Sequence, residues 1–300
     1  MRFSHRVEGA LLHGLLGGVR SMSWRPSLGA GALLGDLART LAVRRGVAES
    51  NLARAFPERS ATERGAILAG HYRELGRVVM EYARLPELAR AEGDEFVAGA
   101  SGLEHLERAH TAGRGMILLT GHFGNFELLG AWLGRTYPVD FVVQPFSNPL
   151  ATAELARLRE RAGVGQIPRG AALRRVFEAL RANRCVAMLA DQDARRSGVF
   201  VPFFGIPSST PVGPAELALR TGAPIVMGFD RRRADGRHEL IVEAPIELPD
   251  RRSPDAAVRV TAAHAARLEQ RIRANPELWF WLHRRWKTSP PALRPERRSA

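Results

Sequence analysis

From Gly93 onward the chain alternates short apolar runs with amphipathic stretches, and this alternation restricts the fold more than any other feature. The runs Glu95–Val97, Met116–Thr120, Phe141–Val143, Val186–Ala190, Ile225–Phe229 and Glu239–Val242 predict strands. Between them, Phe126–Leu133, Pro149–Ala162, Leu173–Ala182, Pro214–Thr221 and Ala256–Asn275 carry helical spacing. Strands that alternate with helices pair largely in parallel, because a parallel connection must cross over the sheet, and the helices then cover both faces. The predicted class is α/β: a single mostly parallel or mixed sheet flanked by helices, with an N-terminal helical region.

That region reads as helical from about Val7 to Leu88. Leu33, Leu34, Leu37 and Leu41 recur at helical spacing, as do Leu75, Val78, Val79 and Tyr82. Pro57 stops one helix, and Ser60 with Glu63 has the spacing of a capping box that starts the next. Residues 1–45 are expected to form a membrane-proximal helical segment and 46–92 a helical region packed on the core. Residues 93–288 form the α/β domain, and 289–300 a flexible basic tail. The apolar stretch from Gly9 to Val19 follows a basic start without a convincing cleavage site. It is too short for a bilayer that needs about 20 residues, which favours an interfacial helix. Gly121 and the polar residues His122, Asn125 and Glu127 break the apolar window 115–134 and exclude it as a span.

Lys and Arg total 44 against 31 Asp and Glu, a net charge of +13, which points to an anionic partner. Nucleic acid, an anionic membrane surface or a phosphorylated substrate would each satisfy it, although no nucleic-acid-binding motif accompanies the charge. Part of the excess reflects a chain rich in Arg, Ala, Gly, Leu and Pro. The single cysteine, Cys185, sits in an apolar run and reads as a small buried hydrophobe, so disulfides and cysteine-based zinc sites are excluded within one chain. His13, His105, His110, His238, His264 and His283 have no metal-ligand spacing, and His71 is expected to face solvent or a neighbour on its helix. Neither a metal nor a cofactor is implied.

The segment Met116-Ile-Leu-Leu-Thr-Gly-His122-Phe-Gly-Asn-Phe-Glu127 carries the chemistry. A strand ends near Thr120, Gly121 and Gly124 permit a tight turn, and Asn125 can cap the following helix. His122 would then stand at the carboxyl end of a strand, where open α/β sheets bind ligands. Glu127 is expected to accept a hydrogen bond from the imidazole, making the pair a candidate general base. The alternative is a turn histidine and a helix-dipole carboxylate without function. Asp191, Gln192 and Asp193 follow the run Val186–Ala190 at the same edge, either as site residues or as a turn cap. Trp279, Trp281, Arg284, Arg285, Trp286 and Lys287 form an aromatic and basic block that would suit either a membrane interface or a core element covering the sheet.

The His122-x4-Glu127 segment resembles the His-x4-Asp/Glu motif of glycerolipid acyltransferases, specifically the branch of late acyltransferases of lipid A biosynthesis. Other blocks resemble the same family in the same order: Asn51 to Glu58, Asn148-Pro149, Asp191 to Gly205, Leu219 to Pro224 and Pro276 to Thr288. The resemblance covers nearly the whole chain. It implies a glycerol-3-phosphate acyltransferase-like fold and transfer of a fatty acyl chain from an acyl carrier protein thioester to a hydroxyl of a lipid A precursor of the Kdo-lipid IVA type. It also implies action at an anionic membrane surface, on the cytoplasmic face of the inner membrane, with peripheral or N-terminal attachment. By the resemblance His122 and Glu127 are catalytic. The resemblance also implies that Asn125, Asn148, Arg169, Arg174, Asp191 and Gln192 contact substrate, the arginines through phosphate, with an exposed basic helix face as the alternative for Arg169 and Arg174. Many members carry an arginine where this chain has Gln144, so another hydroxylated lipid, a lysophospholipid or glycolipid, stands as the alternative acceptor.

Overall fold

The computed structural model describes residues 3–91, 95–169 and 172–290. Five helices come first: α1 (Phe3–Ser21), α2 (Trp24–Thr40), α3 (Arg45–Ala55), α4 (Ala61–Ala83) and α5 (Leu85–Arg90). Ser60 and Glu63 form the expected reciprocal capping box at the start of α4. The α/β part then runs β1 (Val97–Ser101), α6 (Leu103–Thr111), β2 (Met116–Thr120), α7 (Phe126–Leu133), β3 (Val139–Val143), α8 (Pro149–Arg161), β4 (Gly165–Pro168) and α9 (Ala172–Arg181). It continues with β5 (Cys185–Leu189), the hairpin β6 (Val199–Phe203) and β7 (Ile206–Thr210), α10 (Gly213–Thr221), β8 (Ile225–Arg232), β9 (His238–Val242) and α11 (Ala256–Ala274).

Seven strands form one sheet in the order β1-β9-β8-β2-β5-β3-β4. The block from β8 to β4 is parallel, while β9 runs antiparallel to β8 and parallel to β1, so the sheet is mixed as the sequence allows. β2 is buried along its whole length. Its alternate residues serve opposite faces: Ile117 and Leu119 join one apolar cluster, Met116 and Leu118 the other. Leu52 of α3, Phe56 just beyond it, and Ile67 and Tyr72 of α4 join the first cluster, alongside Leu268 of α11. α5, α6 and α7 cover the second face with Leu88, Leu106 and Leu129.

Trp279, Trp281 and Trp286 are buried in the first cluster and pack edge-on against one another and against Phe203 and Phe204. Of the two readings of this block, the structure selects the core element. Cys185 is buried as expected, and burial pushes its thiol up to about 12. Against expectation, His71 is buried beside Tyr72 and Phe280, and desolvation lowers it to about 4. No helix among the described residues is long and apolar enough to cross a membrane. Leu16 and Val19 of the Gly9–Val19 stretch are buried in a cluster with Met80, Ala83 and Leu158. The tail beyond residue 290 lies outside the described residues.

Candidate active site

The register of β2 on β5 builds the site. Thr120 pairs with Leu189, so the residues two places beyond each strand meet at the carboxyl edge of the sheet. Asp191 takes the His122 backbone N–H on Oδ2 at 2.8 Å and faces the imidazole Nδ1 with Oδ1 at 2.8 Å. A carboxylate only accepts hydrogen bonds, so Nδ1 carries the hydrogen and Nε2 keeps its lone pair in the neutral ring. The indole N–H of Trp279 donates to Asp191 Oδ2 at 2.9 Å, and Phe280 N–H donates to the His122 carbonyl at 2.9 Å. The tryptophan-rich segment thereby fixes both members of the pair. Gly124 adopts φ +55 with the Asp230 carbonyl 2.2 Å from where a Cβ would sit, so the turn after His122 requires glycine.

The partner of His122 is therefore Asp191, not Glu127. Glu127, in the first turn of α7, accepts from Tyr82 Oη at 2.9 Å and from both Nε (3.0 Å) and Nη2 of Arg159 on α8. Arg159 is itself mostly buried, and turning Glu127 to the imidazole would strand that guanidinium without its counter-charge. The imidazole feels Glu127 only through space. Burial opposes charge on His122, the adjacent Asp191 outweighs it by charge and hydrogen bond, Glu127 adds a smaller push, and the pKa is raised. Burial likewise disfavours the Asp191 carboxylate, but His122 and the indole hold it well below the usual carboxylate range.

Nε2 of His122 faces Gln192, whose Nε2 lies 3.4 Å away, and the ring is flanked by Phe126 and Phe280 with centroids at 5.3 Å and 6.0 Å. The imidazole is partly exposed, and its neutral form offers a lone pair at Nε2 between the two aromatic rings.

A second buried network lies under the turn. Asn125 N–H donates to Asp230 Oδ2 at 2.7 Å, its Nδ2 donates to Glu81 at 2.9 Å, and its Oδ1 caps α7 at Leu128 N–H. His238 spans the two carboxylates, with Nδ1 2.8 Å from Asp230 and Nε2 3.0 Å from Glu81, and Arg232 closes on Glu81 and Glu74. Desolvation opposes charge on His238, yet the two carboxylates push it up to about 10.

Of the residues singled out from the sequence, the structure brings His122, Asp191 and Gln192 together. The polar atoms of Asn125 are all engaged within the protein. Asn148 caps α8 through Leu150 N–H and donates to the His5 carbonyl and to Glu8 at 2.8 Å, so it ties α1 to α8. Arg169 is exposed, and Arg174 is 89% exposed with Glu178 at 2.8 Å, the geometry of a solvated helix face. Tyr82, Arg159, Glu81, Asp230, Arg232 and Trp279 were missed as parts of this arrangement. Their partners lie far apart in the chain, and the register of β8 on β9, which sets Arg232 opposite His238, is the nearest link between one of them and its network.

A family model described as bacterial lipid A biosynthesis acyltransferase matches residues 6–288. The chain belongs to this family. It is 31% identical to the lipid A biosynthesis palmitoleoyltransferase of Escherichia coli over 267 residues, covering 87% of this chain and 84% of the relative. It is 32% identical to the lauroyltransferase of the same organism over 270 residues, covering 88% and 86%. The phosphatidylinositol mannoside acyltransferase of Mycobacterium tuberculosis is also 32% identical, over 242 residues, covering 79% and 75%. The protein is an acyltransferase, and the family membership supports transfer to a lipid acceptor.

Proposed function

We propose that this acyltransferase moves a fatty acyl chain from an acyl carrier protein thioester to a hydroxyl of a lipid A precursor of the Kdo-lipid IVA type, with His122 as general base. The observation that carries this reading is the His122–Asp191 pair, which engages Nδ1 of a partly exposed imidazole and leaves Nε2, in the neutral ring, with its lone pair beside Gln192. The acceptor hydroxyl gives its proton to Nε2 as its oxygen attacks the thioester carbonyl carbon. The tetrahedral intermediate then expels the carrier thiolate by breaking the C–S bond, and the imidazolium returns the proton to sulfur. Asp191 acts through His122 as a positioning residue: it holds the tautomer and stabilises the transient imidazolium. Glu127, with Arg159, positions α7 and α8 on either side of the motif and adds a weaker field at the imidazole. The reaction is placed at the cytoplasmic face of the inner membrane.

A second acceptor class is favoured by one observation: the similarity extends to phosphatidylinositol mannoside acyltransferases. A glycosylated phospholipid is the acceptor on that reading, with the same chemistry at His122.

The test is transfer from a panel of acyl carrier protein thioesters to a Kdo-bearing lipid A precursor and, in parallel, to a phosphatidylinositol mannoside. Transfer to the first, lost in folded His122→Ala, is the expected result. Transfer to the second alone would move the enzyme to the other acceptor class, and transfer to neither by folded protein would sink both.

A further inference from the structure

The helix α2 is packed inside out. The face it turns to the protein carries Ser27, Leu28, Gly31 and Gly35, which are buried. Gly31 and Gly35 meet α4 at backbone distance: a Cβ at Gly31 would come 2.7 Å from the Gly76 carbonyl, and one at Gly35 2.0 Å from the Tyr72 carbonyl. The other face carries leucine and leaves it uncovered, with Leu33 71%, Leu37 54% and Leu41 68% exposed, flanked by exposed Leu34 and Val43. A helix of a water-soluble surface does the reverse, putting its large apolar side chains inward. Small residues inward and leucines outward is the packing of a helix whose outer solvent is lipid.

The ridge continues into a basic hollow. Arg25, Gly29, Leu33, Leu37 and Leu41 follow one another at intervals of four and so form one row along the helix. At the Arg25 end the row runs into a cavity of about 480 Å³ between α2, α4 and the β8–β9 turn, lined by Arg25, Arg77, Arg232 and Arg233 together with Glu74 and Asp235. Glu74 pairs with Arg77 and Arg232, Glu81 also holds Arg232, and Asp235 lies 4.0 Å from Arg233. Arg25 makes no hydrogen bond or ion pair with any of the described residues. An apolar ridge leading into a hollow where Arg25 has no partner among the described residues and Arg233 only a 4.0 Å contact to Asp235 is complementary to an anionic phospholipid, with acyl chains along the leucines and a phosphate in the hollow. It is not complementary to a second copy. Self-association through this face would bring together two chains that each carry a net charge of +13, whereas an anionic lipid surface is attracted by that charge.

We propose that α2 lies flat in the membrane interface, with Leu33, Leu37 and Leu41 inserted among the acyl chains and the Arg25–Arg233 hollow engaging the phosphate of an anionic phospholipid. The attachment surface is thus the second helix rather than the stretch Gly9–Val19, whose Leu16 and Val19 are spent on packing. The choice of lipid as occupant rests on the lipid-acceptor reading, but its test requires neither donor nor acceptor.

The experiment is partition of the full chain onto phosphatidylcholine vesicles with and without phosphatidylglycerol. Leu33→Ser/Leu37→Ser/Leu41→Ser is expected to lower partition about tenfold or more on both vesicle types. Arg25→Gln/Arg233→Gln is expected to remove only the phosphatidylglycerol-dependent increment, as added salt should in the wild type. Both variants should keep the wild-type rate on detergent-dispersed acceptor. Should the triple variant fail to fold, Leu37→Cys with an environment-sensitive label gives a second reading, since Cys185 is buried and stays unlabelled. A blue shift on adding vesicles is expected there. Unchanged partition of a folded triple variant, an unshifted label, or a dimer that the triple variant dissolves while partition stays intact would each overturn the proposal. A wild-type protein that binds vesicles through the ridge yet transfers no acyl chain would overturn the acceptor reading alone.

Discussion

Two histidine–aspartate pairs stand within a few residues' reach of the same turn. His122 Nδ1 faces Asp191 and His238 Nδ1 faces Asp230, both at 2.8 Å. The difference lies at the other ring nitrogen. Nε2 of His238 is closed off by Glu81 at 3.0 Å and by Arg232, and the ring is fully buried. Nε2 of His122 meets, among the described residues, only Gln192 at 3.4 Å, and its side chain is partly exposed. Two carboxylates hold His238 as an imidazolium with no lone pair to offer, which makes it a structural cation under Asn125. One carboxylate raises His122 while leaving a neutral form with its lone pair aimed outward. The same pair of side chains is thus a base or a brace, according to what faces Nε2.

The comparison breaks most plainly by removing each ring. His122→Ala is expected to cut transfer about 10²–10⁴-fold while leaving the melting temperature near wild type. His238→Ala is expected to cost about 3–5 kcal/mol of stability, because it leaves Asp230 buried without its counter-charge and Glu81 with Arg232 alone. Melting curves beside rate measurements separate the two, and a stable, inactive His238→Ala protein would contradict the division.

Next in size is Asp191→Asn. Its amide can hold the ring in the wrong tautomer, and transfer should fall about 10²-fold or more. The residual activity should show its acid limb at lower pH, because Asp191 is the group that raises His122 and loss of that charge lets burial win. A limb that moved upward would be incompatible with the assigned pair.

Stability against pH sharpens the contrast from the other side. His238 has its folded pKa raised to about 10, so its contribution is fully present below the unfolded value near 6.5 and fades as pH climbs toward 10. Denaturant unfolding at neutral pH and near pH 10 should differ by a few kcal/mol in wild type. In His238→Gln, if it folds, this part of the slope should vanish.

Glu127→Gln occupies a middle position. It weakens the buried contact to Arg159 and lowers stability, yet it should move the acid limb of the rate profile less than Asp191→Asn does, since Glu127 acts on the imidazole only through space. The smallest effect is expected for Arg174→Ala, which removes an exposed helix-surface pair and should leave the rate within about twofold.

Much of this architecture is legible from residue order. The run Met116–Thr120, the glycines after it and the cap at Asn125 specify a strand, a turn and a helix from local chemistry, and the structure has each of them. β4 escapes because Gly165-Gln166-Ile167-Pro168 offers a single large apolar residue at a sheet edge. The β6–β7 hairpin escapes because Pro202 interrupts a run that otherwise reads as a strand. The pairing of His122 with Glu127 was the natural local inference, since sequence displays neighbours along the chain. The closer partner arrives through the β2–β5 register, which no single segment encodes. The leucines of α2 teach the same lesson in another form. Helical spacing reveals an apolar face but not what covers it, and here the glycines on the opposite face decide which side meets the protein.

The central claim is that Asp191, rather than Glu127, governs the imidazole of His122. Nitrogen-15 NMR titration of labelled histidine in wild type, Asp191→Asn and Glu127→Gln reads this at the ring itself. The account predicts that wild-type His122 titrates above the ordinary histidine value with hydrogen on Nδ1, that Asp191→Asn drops its pKa sharply, and that Glu127→Gln lowers it only slightly. A larger drop in Glu127→Gln than in Asp191→Asn, or hydrogen on Nε2 in the neutral wild-type ring, would contradict it.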